Sequence, residues 1–432
     1  MSKNYGLRRF AKIEFLCKVD FELLLQMVRP FREYIERKGG VAWSENQETF
    51  PFDALAKILT SPCDDAPVKL FDAFFFVDEM SAEELFDSLY MDASEAGIDF
   101  AGFEHPTPTD LALLIWIQNP ELLQRLHAGL HITKARRFET FRSLRIGEPD
   151  VSKVAVPNLE AALNDYFVGV RKGHGVRVFA FESGNETWFL IRHGLPMKRE
   201  VAIADDGESM GVLFRPEIYD VLYYTHDDGQ IHLHTSTVDE KKTYCKLIGQ
   251  HVFGDESMFV YNRMTPKFSL EPIRRDGRKC LVCSDVEGIE SVTLIEIRFM
   301  LNAKCHHLDT HRADCVFQSF EEMQREFPSR EKIERISFRI KFSGDRRSRI
   351  VTLCEPNIAI FERDSDSGPI HEFLRKRGFI IDTNSEDNHD VTILQFKFDA
   401  GEVRSQPGGV GVLAEGPRER VRHAVAVSAA NG

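Results

Sequence analysis

Positive charge is almost missing from one long stretch of this chain. Between Asp53 and Gln124 only Lys57 and Lys69 stand against 15 Asp and Glu, and that balance of −13 equals the formal net charge of all 432 residues. The remainder is neutral overall, and a pI near 5.7 argues against wholesale wrapping of nucleic acid while leaving room for a local basic patch. Cysteine is also sparse: eight residues at irregular spacing exclude a disulfide scaffold and fit reduced thiols. No apolar run approaches the roughly 20 residues that span a bilayer, since the longest lies around Leu111 to Ile117. The first ten residues hold no stretch of signal-peptide length. These absences predict a cytoplasmic protein with no membrane contact. The phosphate-binding Gly-x-x-x-x-Gly-Lys-Ser/Thr loop, the Gly-x-Ser-x-Gly elbow and the His-Glu-x-x-His pair are absent too, so no common catalytic signature names a reaction. No internal repeat is visible.

What is present reads as an α+β multidomain protein: a helical N-terminal domain followed by two antiparallel-sheet α+β units. The length predicts two or three domains, and 43% apolar residues with 34 Phe supply their cores. Residues 1–150 form the helical domain, acidic over 53–124 and basic over 125–145, where six Lys or Arg face only Glu139. Phe21 to Lys38 has helical periodicity closed by Gly39-Gly40, with a kink or break at Pro30. Ser81 to Glu84 reads as a capping box opening a helix through Tyr90. Thr107-Pro108-Thr109-Asp110 and Asn119-Pro120-Glu121 read as further helix starts.

Residues 156–265 predict a helix (Asn158 to Arg171), three hairpins and a helix capped at Thr237-Val-Asp-Glu240. The hairpins join 176–181 to 188–191, 198–204 to 210–214, and 221–226 to 230–234. Such frequent hairpins exclude a doubly wound parallel sheet. Residues 266–400 predict strands at Val292–Met300, Ile333–Phe342, Arg349–Cys354 and Val391–Phe398, with helices near Phe320 and over Pro369–Lys376. Residues 401–432 lack a pattern that packs and read as a disordered tail.

Several residue sets invite chemistry. Cys280-Leu-Val-Cys283 followed by Cys305, His306, His307, His311 and Cys315 has the spacing of a structural zinc site, which makes zinc the one cofactor considered. Against it, Lys279 to Cys283 reads as a strand, where buried free cysteines are common. Arg192-His193-Gly194 matches the tripeptide of the histidine phosphatases, but it follows the second arm of a hairpin and has no second catalytic histidine in context. Glu240-Lys241-Lys242 with Asp220 and Asp228 supplies the letters of a metal-dependent nuclease, yet the triplet starts a helix instead of lying on a strand. His232 and His234 share one strand face with Tyr223 and Thr225 beside them, which also describes a solvated sheet face with Ile231 and Leu233 inward.

Charge makes the best physical case. In Arg335 to Phe342, Ile336, Phe338, Ile340 and Phe342 share one face, and Arg335, Ser337, Arg339 and Lys341 the other. The turn adds Arg346, Arg347 and Arg349. Eight basic residues against three acids over Arg330 to Arg349 form a surface able to track phosphates. The leading expectation is a non-catalytic interaction or regulatory protein that binds a partner protein through its acidic helices. Nucleic-acid binding by the basic hairpin comes second, and a metal-dependent hydrolase at the Cys/His clusters third. The basic patches have one further use, docking against the acidic helices of the same chain.

Overall fold

A computed structural model of the chain describes residues 7, 9–61, 63, 65–103, 105–203, 206–262, 266–328, 330–345, 347–362 and 367–381. The expected strand Val391–Phe398, the tail 401–432 and Arg346 lie outside the described residues. No helix among the described residues is long and apolar enough to cross a membrane.

The N-terminal region is helical: α1 (Ile13–Leu16), α2 (Phe21–Val28), α3 (Arg32–Gly39), α4 (Phe52–Thr60), α5 (Val68–Met80), α6 (Phe86–Glu95), α7 (Pro108–Gln118) and α8 (Pro120–Lys134). Pro30 has no N–H to continue α2, so the chain passes through a short 3-10 turn, Arg29–Phe31, before α3 resumes. Gly40, at φ 60°, ends α3 in the left-handed region. Thr107 and Asp110 form a reciprocal capping box at α7. Asp110 also accepts from the backbone N–H of Asp20 at 2.8 Å, so one carboxylate ties the start of α2 to the start of α7. Leu24, Leu55, Phe74 and Leu113 are fully buried in the single core these helices enclose. The capping box expected at Ser81 does not form. Its hydroxyl donates back to the Val77 carbonyl at 2.5 Å, and α6 begins only at Phe86 after a 3-10 turn. An α5 carbonyl left open at the helix end is the nearer acceptor.

The helical run also stops short of residue 150. Arg137–Ser143 is a strand, β1, and it lies in the middle of the sheet. After α9 (Ala155–Gly169) come β2 (Arg177–Ser183), β3 (Glu186–Gly194), β4 (Lys198–Ile203), β5 (Ser209–Phe214), β6 (Glu217–Thr225), β7 (Gln230–His234), α10 (Val238–Val252) and β8 (Phe259–Val260). The chain ends its described part with α11 (Glu271–Asp276), β9 (Ile289–Asn302), β10 (His307–Arg312), α12 (Val316–Glu322), β11 (Lys332–Phe342), β12 (Ser348–Cys354), β13 (Ile358–Ile360) and α13 (Ser367–Lys376). Lys279 to Cys283, expected to be extended, instead follows α11 as a 3-10 turn over Gly277–Leu281.

One 11-stranded sheet runs in the order β10-β9-β11-β12-β13-β1-β7-β6-β3-β2, with β8 also paired to β1, while β4 and β5 form a separate hairpin. Every pairing is antiparallel, which makes the α+β reading a property of the molecule. The sheet is continuous across residue 265: β1, from the helical segment, hydrogen-bonds to β7 on one side and to β13 on the other.

The sheet has a front and a back. On the front, Phe138, Trp188, Leu190, Val221 and Tyr223 meet α8, and Phe338, Ile340, Val351 and Leu353 meet α11, α12 and α13. On the back, α9 and α10 bury Phe189, Ile191, Leu222 and Leu233. All helices of the β9–β13 half contribute to the front core, so its back carries no helix among the described residues. Register shifts keep this division intact. The register between β9 and β11 shifts between Ile333 and Arg335 and again between Ser337 and Phe338, so Ile297 and Phe299 join Val292 and Leu294 on the front. Without such bulges a strand this long would turn half of its apolar set toward water.

Candidate functional site

Register puts one lateral row of side chains across the back of the sheet: Arg298, Arg335, Cys354, Ile358, Glu139, Leu233, Leu222 and Phe189 lie directly opposite one another in turn. The row passes from cationic, through an acid, to apolar. Its two ends are two different kinds of site.

At the apolar end the polar side chains are buried and paired. Lys241, in the first turn of α10, reaches β1 and donates to Glu139 at 2.6 Å, both side chains almost wholly out of water. One residue earlier Glu240 completes the capping box with Thr237 and receives the ammonium of Lys172. Thr235 places its hydroxyl 2.9 Å from both Glu240 Oε2 and Asp220 Oδ2. Asp220 Oδ2 also accepts from Tyr244 at 2.6 Å and lies 3.0 Å from His193 Nε2. The Phe167 ring stacks on His193 at 4.0 Å. Burial acts to raise the pKa of Glu240, and the hydrogen bonds from Lys172, Thr237 and Thr235 outweigh it and hold the carboxyl below its ordinary value. Burial pushes the Tyr244 phenol well above its ordinary range, helped by the charge of Asp220, so it stays a donor.

His193, Asp220 and Glu240 form the one group of three or more potential metal ligands among the described residues, with ligand atoms within 4.8 Å of one another. Each already faces a protein partner, and Lys172 sits on Glu240 where a cation would sit. This is a brace that fastens α10 and the end of α9 to β3 and β6. It also accounts for the nuclease-like letters: Glu240 caps, Lys241 neutralises Glu139, and Lys242 lies over the Tyr261 ring at 5.7 Å. Asp228 belongs elsewhere, 3.4 Å from Lys267.

The proposed zinc ligands are not gathered. Cys280 is buried in the 3-10 turn and Cys283 just beyond it, while Cys305 and His306 are exposed in the β9–β10 turn. His311 points to the front, against Phe299 and Phe320, and pairs with Asp309. Cys315 precedes α12, and no three of these ligands converge among the described residues. Burial raises the Cys280 thiol to about 12, with the Asp276 charge adding to it, the opposite of what a thiolate ligand needs. His232 is not solvated either, and His234 is half-buried. His232 is buried at 2.9 Å from the Thr140 hydroxyl and stacked on Tyr223, and His234 Nδ1 lies 2.8 Å from the Arg137 carbonyl.

At the cationic end no helix covers the back of the sheet among the described residues, although Glu296, Ser337 and Thr352 are buried there beneath longer side chains. Arg335, Arg339 and Lys341 project there as the alternation of β11 requires, and Ile350 beside them is 57% exposed. Two residues that the β11 pattern did not include join them, Arg298 on β9 and Arg312 on β10. Arg298 stands directly across from Arg335, and like charges so placed destabilise a sheet by up to about 1 kcal/mol. Glu296 offsets part of this, with Arg335 Nε at 3.1 Å and Arg312 also upon it. Arg339 lies 3.6 Å from Asp314, and Lys341 2.7 Å from Glu290. Arg349 does not join them: it stands opposite Ile340, on the front side, 3.1 Å from Asp345, while Arg347 is exposed in the turn. Burial raises the Cys354 thiol pKa; the charges of Arg335, Arg137 and Arg298 act against that rise, and Glu334 adds to it. The polar members of Val292–Met300, Glu296 and Arg298, were the sequence signal for the wider patch. Arg137 belongs to the basic segment 125–145, which lies partly on β1 and not wholly on a helix.

The acidic region is partly spent on its own fold. Asp53 pairs with Lys57, Asp65 with Arg37, and Asp78 with Arg9, while Asp110 caps α7. On α6, Asp87, Met91 and Glu95 form an outward stripe, with Met91 64% exposed. No protein-family model matches this sequence, and no curated protein matches it either.

Proposed function

We propose that this is a non-catalytic nucleic-acid-binding protein that lays a phosphate backbone across the open back of the β9–β13 half. The observation that carries the reading is the directly opposed Arg298–Arg335 pair on a sheet face that no helix covers among the described residues. Opposed cations cost stability in the free protein and gain from an anion placed between them. Lys332, Arg335, Arg339 and Lys341 extend the charge along β11. Nine residues of strand cover roughly 30 Å, the reach of a polymer's charge and not of a single anion. Most of these cations hold an acidic partner in the free protein, so binding exchanges intramolecular pairs for phosphates and is sensitive to salt.

Fluorescence anisotropy with a labelled single-stranded 20-mer and its duplex tests this at two salt concentrations. Binding should weaken steeply with salt, and Arg298→Ala with Arg335→Ala should each remove about 0.7 to 0.9 from the slope of log K against log salt. Binding that is absent at low salt, or indifferent to both substitutions, would overturn the reading.

The α6 stripe favours a second reading, a partner protein held on the acidic helical surface, because an exposed Met set among acids is apolar area with a charged rim. Co-purification from the native host should then lose a partner when Asp87→Asn, Met91→Ala and Glu95→Gln are combined. An unchanged set of partners removes it.

A further inference from the structure

The front of the sheet holds a cavity of about 600 Å³ where β1, β3, β6 and β7 pass from the cover of α8 to that of α13. Its volume is that of a site for one small organic molecule. The floor is aromatic. Trp188 stacks on Tyr223 with centroids 4.4 Å apart, and Tyr223 stacks on His232 at 4.1 Å with planes 5° apart. The 2.9 Å contact between His232 and Thr140 fixes the last ring of this stack, and the Trp188 indole N–H donates to Glu186 at 3.0 Å. A rigid, pre-stacked floor loses little entropy when one more ring is laid beside it.

The lining also carries charge of both signs, Lys267 and Arg375 against Glu186, Asp227 and Asp228. His371 and Arg375, one turn apart on α13, line the cavity together with Lys267. Lys267 is only 9% exposed, 3.4 Å from Asp228, which itself lines the same space. An anion that takes the place of Asp228 at Lys267 gains a buried ammonium, and Arg375, lining the same cavity, supplies a fork for it.

We propose that this cavity binds a planar aromatic anion, its ring against the Trp188–Tyr223–His232 stack and its phosphate or carboxylate at Lys267 and Arg375. The site lies on the opposite sheet face from Arg298 and Arg335, so it is independent of the nucleic-acid reading. Its ligand is a small molecule and not a polymer.

Trp188 reports on it directly. Titration of the full chain with adenosine 5′-monophosphate and, separately, with indole-3-carboxylate should give a saturable change in tryptophan fluorescence below about 1 mM for at least one of them. The first tells for a phosphate ligand, the second for a carboxylate. Adenosine and ribose 5-phosphate, each lacking half of the recognised chemistry, should bind at least tenfold more weakly than adenosine 5′-monophosphate if that is the ligand. Lys267→Ala and Arg375→Ala should each weaken binding tenfold or more, and Trp188→Phe should abolish the signal while calorimetry still detects heat. Arg298→Ala should leave it unchanged. The proposal falls if neither anion gives a saturable change in fluorescence or heat, or if both Lys267→Ala and Arg375→Ala bind as the parent does.

Discussion

The two halves of the sheet use the same back face in opposite ways. Across β1, β7, β6 and β3 that face is roofed by α9 and α10, and its charges are drawn into buried pairs, Glu139 with Lys241 and Glu240 with Lys172. Across β9, β11 and β12 no helix roofs it among the described residues, and Glu296 is shared between two arginines. A buried charge must be matched by a partner because water cannot do it. An open face tolerates surplus cations because water and salt can. The same residue types therefore form a buried brace in one half and a charged surface in the other.

The contrast is most sharply broken at Lys241. Lys241→Ala leaves Glu139 buried and unpaired and should cost about 3–5 kcal/mol in urea unfolding. A loss under about 1 kcal/mol would mean that water reaches Glu139 and that the roof is not closed. Comparing the two sides of β11 and β12 sharpens it next. Phe338→Ala empties the front core and should cost about 3–5 kcal/mol, whereas Ile350→Ala on the back should stay within about 0.5 kcal/mol. Equal losses would show that something covers the back.

Acid titration gives a smaller effect with a defined sign. The folded pKa of Glu240 lies below its ordinary value, so its contribution is fully present above the unfolded pKa and is lost as pH falls through the folded one. Glu240→Gln should therefore be less stable at neutral pH and lose less stability than the parent as pH drops below about 4. Parallel curves for the two proteins would remove Glu240 from the brace. The smallest effect is the most diagnostic of function. Arg298→Thr relieves a like-charge pair and should leave stability unchanged or raise it by up to about 1 kcal/mol, while weakening nucleic-acid binding. A clear destabilisation would instead make Arg298 a structural residue.

Much of this was legible in the chain. Trp188 to Ile191 and Val221 to Tyr224 are continuous apolar runs because both sides of those strands are covered, and Ile336 to Phe342 alternates because one side is not. Thr107 and Thr237 announced their helices since a cap is a local event between residues three apart. Ser81 misled by the same rule, its hydroxyl finding an acceptor in the preceding turn. The cysteine and histidine spacing misled for another reason: ligand spacing along a chain says nothing about whether the side chains turn toward one point, and these do not converge among the described residues.

By itself the sequence determined the helical start, the hairpins, the alternation of β11 and the basic character of its polar side, all of which arise from neighbours within a few residues. Tertiary structure alone decided that β1 joins the halves into one sheet and that Arg298 stands opposite Arg335. It also decided that Glu139 meets Lys241 across 102 positions. Strand pairing at long range depends on which surfaces find cover, and that is settled only when the whole chain has folded.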